Sequence, residues 1–230
     1  METVSEDSLL FPKLRAPSTC VLSGSTGSGK TTLIHRILKS KDELFEKKVH
    51  KVMYCMSVDQ RLFTEMRRTV PGIIFKRGLP SQEDLEDFTD GSLHTLVVLD
   101  DLMLETVESK SMLSLFTQWS HHTCISVFFL TQNLYQKGKC ARTLNMNTHY
   151  LFIMANPRDF TQVNVLAKQT GFAHTLIDSY DDAVRKKTYG YLVVSLHPAD
   201  IARYSLSESP RLKSRIHTNI FPGEDLISYL

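Results

Sequence analysis

Eight residues near the start of the chain, Gly24-Ser25-Thr26-Gly27-Ser28-Gly29-Lys30-Thr31, have the types and spacing that hold an oligophosphate. Three glycines let the backbone curl until successive N–H groups point inward at a β-phosphate. A helix starting near Lys30 adds the positive end of its dipole. In such loops the lysine ammonium reaches the β- and γ-phosphates and the following hydroxyl, here Thr31, is a Mg²⁺ ligand. Thr32 is expected to bond the α-phosphate. The match to a Walker A loop is complete, and its flanks suit it. Cys20-Val21-Leu22 leads in as an apolar strand, while Leu33, Ile34, Ile37 and Leu38 lead out as a stripe at helical spacing. A glycine- and serine-rich surface turn is the plain alternative, and those flanks count against it. The expected ligand is ATP with Mg²⁺.

A second acidic motif follows a strand that is apolar at every position, Leu96-Val97-Val98-Leu99-Asp100-Asp101. It has the form of a Walker B motif. An aspartate at the end of a buried strand can hold Mg²⁺ beside the phosphate loop, and that role falls to Asp100. Asp101 would orient and polarise the attacking water. Both residues could instead cap the next helix, since Asp is favoured there. The next buried strand, Ile125 to Leu130, runs into Thr131-Gln132-Asn133, and ligands lie at the carboxyl ends of strands in open α/β sheets. Gln132 is the candidate for sensing the γ-phosphate or positioning the water. The basic segment Gln136-Lys137-Gly138-Lys139-Cys140-Ala141-Arg142 offers Arg142 as an arginine finger, which a neighbouring subunit can supply. Arg158 is the second candidate, and a solvated charged loop is the alternative to both. Lys137 and Lys139 could contact nucleic-acid phosphates.

These residues need a scaffold, and the chain supplies one in alternating pieces. The strand candidates are Thr19–Ser23, Val49–Met56, Leu93–Leu99, Ile125–Leu130, Tyr150–Ala155 and Tyr189–Leu196. Longer helical patterns separate them, which predicts an α/β fold: a mainly parallel sheet flanked by helices. Besides the helix after the glycine loop, helices are expected over Lys110 to Trp119 and from Asp159 to Gly171. Asp159 would be the N-cap there, with Gln162 three residues on as in a capping box and Gly171 at the C-terminal stop. Between the two phosphate-site motifs lies the candidate Val49–Met56. An inserted strand, with an acid after the Mg²⁺ aspartate, is the pattern of the additional-strand, RecA-like class of P-loop NTPases. Many of its members carry glutamate where this chain has Asp101.

With 230 residues the chain can bury a sizeable core. The expected organisation is a polar segment 1–14, an ATPase domain 15–204 and a tail 205–230. Cys20, Cys55, Cys124 and Cys140 form no C-x-x-C pair, which speaks against a zinc site or disulfide framework. No apolar run is long enough to span a bilayer, so membrane attachment is not expected. The formal net charge of +2 is far from that of a protein that coats nucleic acid, so any such contact must come from local basic patches.

Taken together, the two motifs and Thr131-Gln132-Asn133 resemble the FtsK/HerA superfamily of DNA-pumping ATPases. The likeness is greatest to viral genome-packaging ATPases of the poxvirus-type and Polinton/Maverick-type group. Thr131-Gln132-Asn133-Leu134-Tyr135, Arg142-Thr143-Leu144-Asn145, His149-Tyr150-Leu151 and Asn156-Pro157-Arg158-Asp159 carry that closer resemblance. It implies a homo-oligomeric ring, a hexamer or pentamer, with ATP at subunit interfaces. Hydrolysis would drive double-stranded DNA into a preformed capsid through portal or vertex proteins. The expected place of action is inside the host cell, in nucleus or cytoplasm, at sites of virion assembly or with the virion itself. Two other functions fit a P-loop: a nucleotide-switched virion assembly module, and a small nucleotide or nucleoside kinase. The kinase would need an acceptor pocket and an arginine-rich lid, and no such lid is legible.

Overall fold

The apolar runs become the strands of one sheet. The computed structural model describes residues 13–89, 92–102, 109, 114, 123–135, 138, 140–156, 160–170, 173–186, 188–199 and 216–218. Among them eight strands form the sheet: β1 (Thr19–Ser23), β2 (Lys51–Met56), β3 (Ile73–Arg77), β4 (Thr95–Asp100), β5 (Ile125–Thr131), β6 (Tyr150–Met154), β7 (Tyr191–Ser195) and β8 (Ile216–Thr218). Their spatial order is β3-β2-β4-β5-β1-β6-β7-β8. The first six are parallel to one another. β7 runs antiparallel to β6, and β8 antiparallel to β7. The described helices are α1 (Lys30–Lys39), α2 (Lys41–Leu44), α3 (Arg61–Thr69), α4 (Gln82–Phe88), α5 (Ala141–Met146), α6 (Phe160–Thr170) and α7 (Ala173–Lys186).

The uniform apolarity of the central strands has a direct cause. Side chains alternate between faces, and helices cover both faces of a parallel sheet. Leu96 and Val98 of β4 pack with Leu33, Ile34, Ile37 and Leu38 of α1 and with Phe63 and Met66 of α3. Val97 and Leu99 pack on the other face with residues of α4, α5, α6 and α7. The four apolar residues of α1 are fully buried, each contributing about 1.5–3 kcal/mol. That burial fixes the direction in which α1 presents its N-terminus.

One expectation needs correction. The strand lying in space between the two motif strands β1 and β4 is β5, which pairs with both. β2, which intervenes in sequence, lies beyond β4. The additional-strand arrangement is therefore supplied by the strand that ends in Thr131-Gln132, because a parallel sheet is wound outward and back by its crossovers rather than in chain order. Strands β3 and β8 go beyond the sequence candidates, and β8 falls in the segment expected as a tail. Of the expected helix over 110–119 the structure describes Ser114, which is helical, while the rest of that span, the cap Asp159 and the stop Gly171 lie outside the described residues. Gln162 is described in α6, where its Oε1 accepts from the N–H groups of Leu134 (2.6 Å) and Tyr135 (3.1 Å), tying the loop after β5 to that helix. All four cysteines are free, and three are buried. Among the described residues no helix is long and apolar enough to cross a membrane.

Candidate active site

The glycine loop leaves the buried end of β1 and turns into α1. Its first N–H, of Gly24, donates to the Thr131 carbonyl (3.1 Å), which fixes the loop against the end of β5. A Cβ on Gly24 would stand 2.5 Å from Ser28 Oγ and 2.8 Å from Met154 Cβ, so the loop closes only over a glycine. Gly29 caps α1 at φ +89°, in the left-handed region, and no side chain caps the helix. The first N–H groups of α1 are thus left without a side-chain acceptor, the condition for an anion site at a helix start. α4 makes the contrast plain, since Ser81 and Asp84 close a full capping box on its N-terminus.

Lys30 Nζ donates to the carbonyls of Gly24 (2.7 Å) and Ser25 (2.9 Å), folded over the loop. Burial pulls its ammonium below the ordinary lysine value, and Asp100 and Asp101 push it part of the way back. Asp100 ends β4 and is 5% exposed. Its carboxylate accepts from Tyr54 Oη (2.6 Å), and the Thr31 hydroxyl lies near enough to favour its charged form. Burial raises its pKa, against the Tyr54 hydrogen bond, the Lys30 charge and the nearby Thr31 hydroxyl, while Asp101 adds to the rise. Asp101 is exposed, accepts from Ser57 Oγ (3.3 Å), and sits at φ 55°. Aspartate enters that left-handed region more readily than glutamate, because its short side chain bonds local backbone. This gives a conformational reason for Asp rather than Glu at 101.

A cavity of about 680 Å³ brings these groups together. It is lined by Thr26, Gly27, Gly29, Lys30, Thr31 and Thr32 of the loop and the start of α1, Asp100 and Asp101 at the end of β4, and Thr131 and Gln132 at the end of β5. Three sequence-identified segments thus face one space. Ser25 contributes its carbonyl to Lys30, and Ser28 donates to Met154 Sδ (3.8 Å) behind the loop. Arg142 is exposed in the first turn of α5 and is not part of the cavity lining. Arg158, Lys137 and Lys139 lie outside the described residues.

Other lining residues were not legible beforehand. Gln60, Arg61, Leu62 and Glu65 enter from α3 and the turn before it, and Tyr189 from the turn before β7. The Tyr189 ring would lie 3.2 Å from a Cβ on Gly29. Tyr54, apolar in pattern and buried in β2, gave no signal that its hydroxyl serves Asp100. For a cation, Thr31 and Asp100 provide adjacent hard oxygen donors opening on the cavity, which suits Mg²⁺. Among the described residues no three His, Cys, Asp or Glu side chains cluster to enclose a metal. Mg²⁺ is commonly held by one or two protein groups with phosphate and water completing the shell.

No protein-family model matches the chain, and no curated protein matches it. Solved structures do. The chain is similar to B204, the DNA-packaging ATPase from Sulfolobus turreted icosahedral virus, with a TM-score of 0.56 and 12% identity over 88% of this chain and 97% of that one. It is also similar to the genome packaging NTPase B204 from Sulfolobus turreted icosahedral virus 2 in complex with ATP-gammaS, with a TM-score of 0.53, 12% identity, and 88% and 96% covered. The sulfate complex of that protein gives 0.50 and 11% over 91% and 98%. At such identities the likeness is one of fold: the chain has the mainly parallel, helix-flanked fold of the P-loop NTPases.

Proposed function

We propose that this chain is an ATPase whose hydrolysis of ATP moves double-stranded DNA into a preformed viral capsid. One observation carries the hydrolytic half: Lys30, Thr31, Asp100, Asp101 and Gln132 converge on a single cavity from separate segments. In the proposed reaction water attacks the γ-phosphorus while the bond from that phosphorus to the β,γ-bridging oxygen breaks. ADP leaves with the bonding electrons. Asp101 orients the water and takes its proton, and Gln132 holds the γ-phosphate end. Lys30 leaves the Gly24 and Ser25 carbonyls for the β- and γ-phosphates, while backbone N–H groups of the loop and the Thr32 hydroxyl hold the rest of the triphosphate. Thr31 and Asp100 would hold Mg²⁺, which supplies charge neutralisation of the phosphates when bound.

The packaging half rests on two supports. The fold extends over nearly all of B204, a DNA-packaging ATPase, and the block from Thr131 to Asp159 resembles the poxvirus-type and Polinton/Maverick-type members of the FtsK/HerA superfamily. On this reading the chain works as a ring of five or six copies against a capsid vertex, inside the host cell. Arg142 would complete a neighbour's site. The deciding experiment measures ATP hydrolysis with and without double-stranded DNA at several salt concentrations. Stimulation by DNA that weakens with salt is expected. Slow turnover indifferent to DNA, with nucleotide-dependent partner binding, would indicate an assembly switch instead, and phosphate transfer to a nucleoside would indicate a kinase.

A further inference from the structure

We infer that Arg61 is a catalytic residue of this site, a guanidinium supplied by the chain to its own cavity at the γ-phosphate end. The inference rests on the hydrolytic reading above and adds a residue that neither motif contains. Its basis is placement. In the β2–β4 ladder Met56 stands opposite Asp100, and the next residue, Ser57, bonds Asp101 at 3.3 Å. Four residues later α3 begins with Arg61. The start of α3 is therefore held beside the two carboxylates, at the end of the cavity remote in the sheet from Tyr189 and β7.

α3 is held firmly in that position. Its Phe63 meets Tyr54 of β2 with ring centroids 5.0 Å apart and Phe75 of β3 at 5.2 Å. At its far end Thr69 bonds His35 of α1 (2.8 Å), coupling it to the helix that carries the phosphate loop. Arg67 is engaged over the Phe75 ring at 4.4 Å. Arg61 is different. It is exposed, it lines the cavity, and it forms no ion pair with any described residue.

Charge within the cavity makes the case chemical. The lining holds two cations, Lys30 and Arg61, and three carboxylates, Glu65, Asp100 and Asp101. Lys30 serves as a point charge on the β- and γ-phosphates. Charge spreading over the equatorial oxygens of a transferring phosphoryl group is met best by a planar, forked guanidinium. Arg61 is the one guanidinium in the described lining, whereas Arg142 is not part of it. Glu65, one helical turn on, borders the same space.

The test compares wild type with Arg61→Ala, Arg61→Lys and, as control, Arg68→Ala, an exposed residue of the same helix away from the cavity. Steady-state hydrolysis is measured together with retention of ADP in the presence of aluminium fluoride, which mimics the transferring phosphoryl group. Arg61→Ala is expected to lower kcat about 100-fold or more with KM changed less than about threefold, and to lose the fluoride-dependent retention of ADP. Arg61→Lys should not restore either, and Arg68→Ala should match wild type. Hydrolysis by Arg61→Ala within about threefold of wild type, with ADP still trapped, would overturn the inference and leave the ATPase reading standing. A wild-type protein that traps ADP nowhere and hydrolyses no ATP would overturn both.

Discussion

At the residue scale the site divides its two aspartates by environment. Asp101 is exposed and at a left-handed φ that asparagine tolerates as well as aspartate. Asp101→Asn should therefore keep the fold and the affinity for ATP while losing about 10²–10⁴-fold in kcat, read by steady-state hydrolysis beside equilibrium nucleotide binding. Full hydrolysis would remove Asp101 from the mechanism. Asp100 is buried, and burial raises its pKa. Between the ordinary carboxylate value and that raised one, the folded chain binds more protons than the unfolded chain, so stability falls as pH rises through the window. At neutral pH the ionised Asp100 thus costs stability. Asp100→Asn should abolish Mg²⁺-dependent turnover yet raise Tm, by about 2–4 °C for each kcal/mol recovered, with the gain vanishing at acid pH where Asp100 is protonated in both states. Thermal melts across pH read this directly. The Tyr54 hydroxyl favours the charged carboxylate, so Tyr54→Phe should move the acid limb of the activity profile to higher pH. Asp100, Asp101 and Gln132 were legible because each follows a conspicuous apolar strand. Tyr54 was not, since a tyrosine inside a buried strand reads as core whether or not its hydroxyl has a task.

At the element scale, legibility followed burial. The six strands found from sequence are those with apolar runs, and their limits shift by a residue or two at the ends. β3 was missed because Ile73-Ile74-Phe75-Lys76-Arg77 sits at the sheet edge, mixed in polarity and only partly covered. α3 was missed because its start carries no side-chain cap, which deprives the sequence of the usual punctuation. With it went Arg61 and Glu65. The strong amphipathic helix α7 was also passed over, and its contact with β7 is a sensitive one. A Cβ on Gly190, just before β7, would lie 1.9 Å from the Ala183 carbonyl of α7. Neither is a flexible side chain, so the helix must move off the sheet. Gly190→Ala should cost about 2–3 kcal/mol of stability, seen as a lower urea midpoint. An unchanged midpoint would mean that α7 does not pack this closely.

For the whole molecule, the proposed motor requires that the cavity of one chain be coupled to a neighbouring copy. Each chain carries the loop, both aspartates, Gln132 and Arg61 on one cavity, whereas Arg142 is exposed on α5, outside it. Met146, one turn further along α5, is 78% exposed. An arginine beside an uncovered apolar residue suits a surface that meets another copy. If Arg142 reaches a neighbour's γ-phosphate, specific activity should rise with protein concentration. Arg142→Ala subunits and Lys30→Ala subunits, each impaired alone, should recover activity when mixed and reassembled, because some interfaces then pair an intact loop with an intact arginine. DNA should respond to charge in the same assembly. Even two phosphate contacts per chain would raise the DNA concentration for half-maximal stimulation about tenfold between about 50 and 200 mM salt. Recovery in the mixture together with that salt response would join hydrolysis to DNA through the ring. Mixed subunits that stay inactive, while wild type is stimulated by DNA, would confine catalysis to each chain's own guanidinium and leave Arg142 to the DNA or the surface.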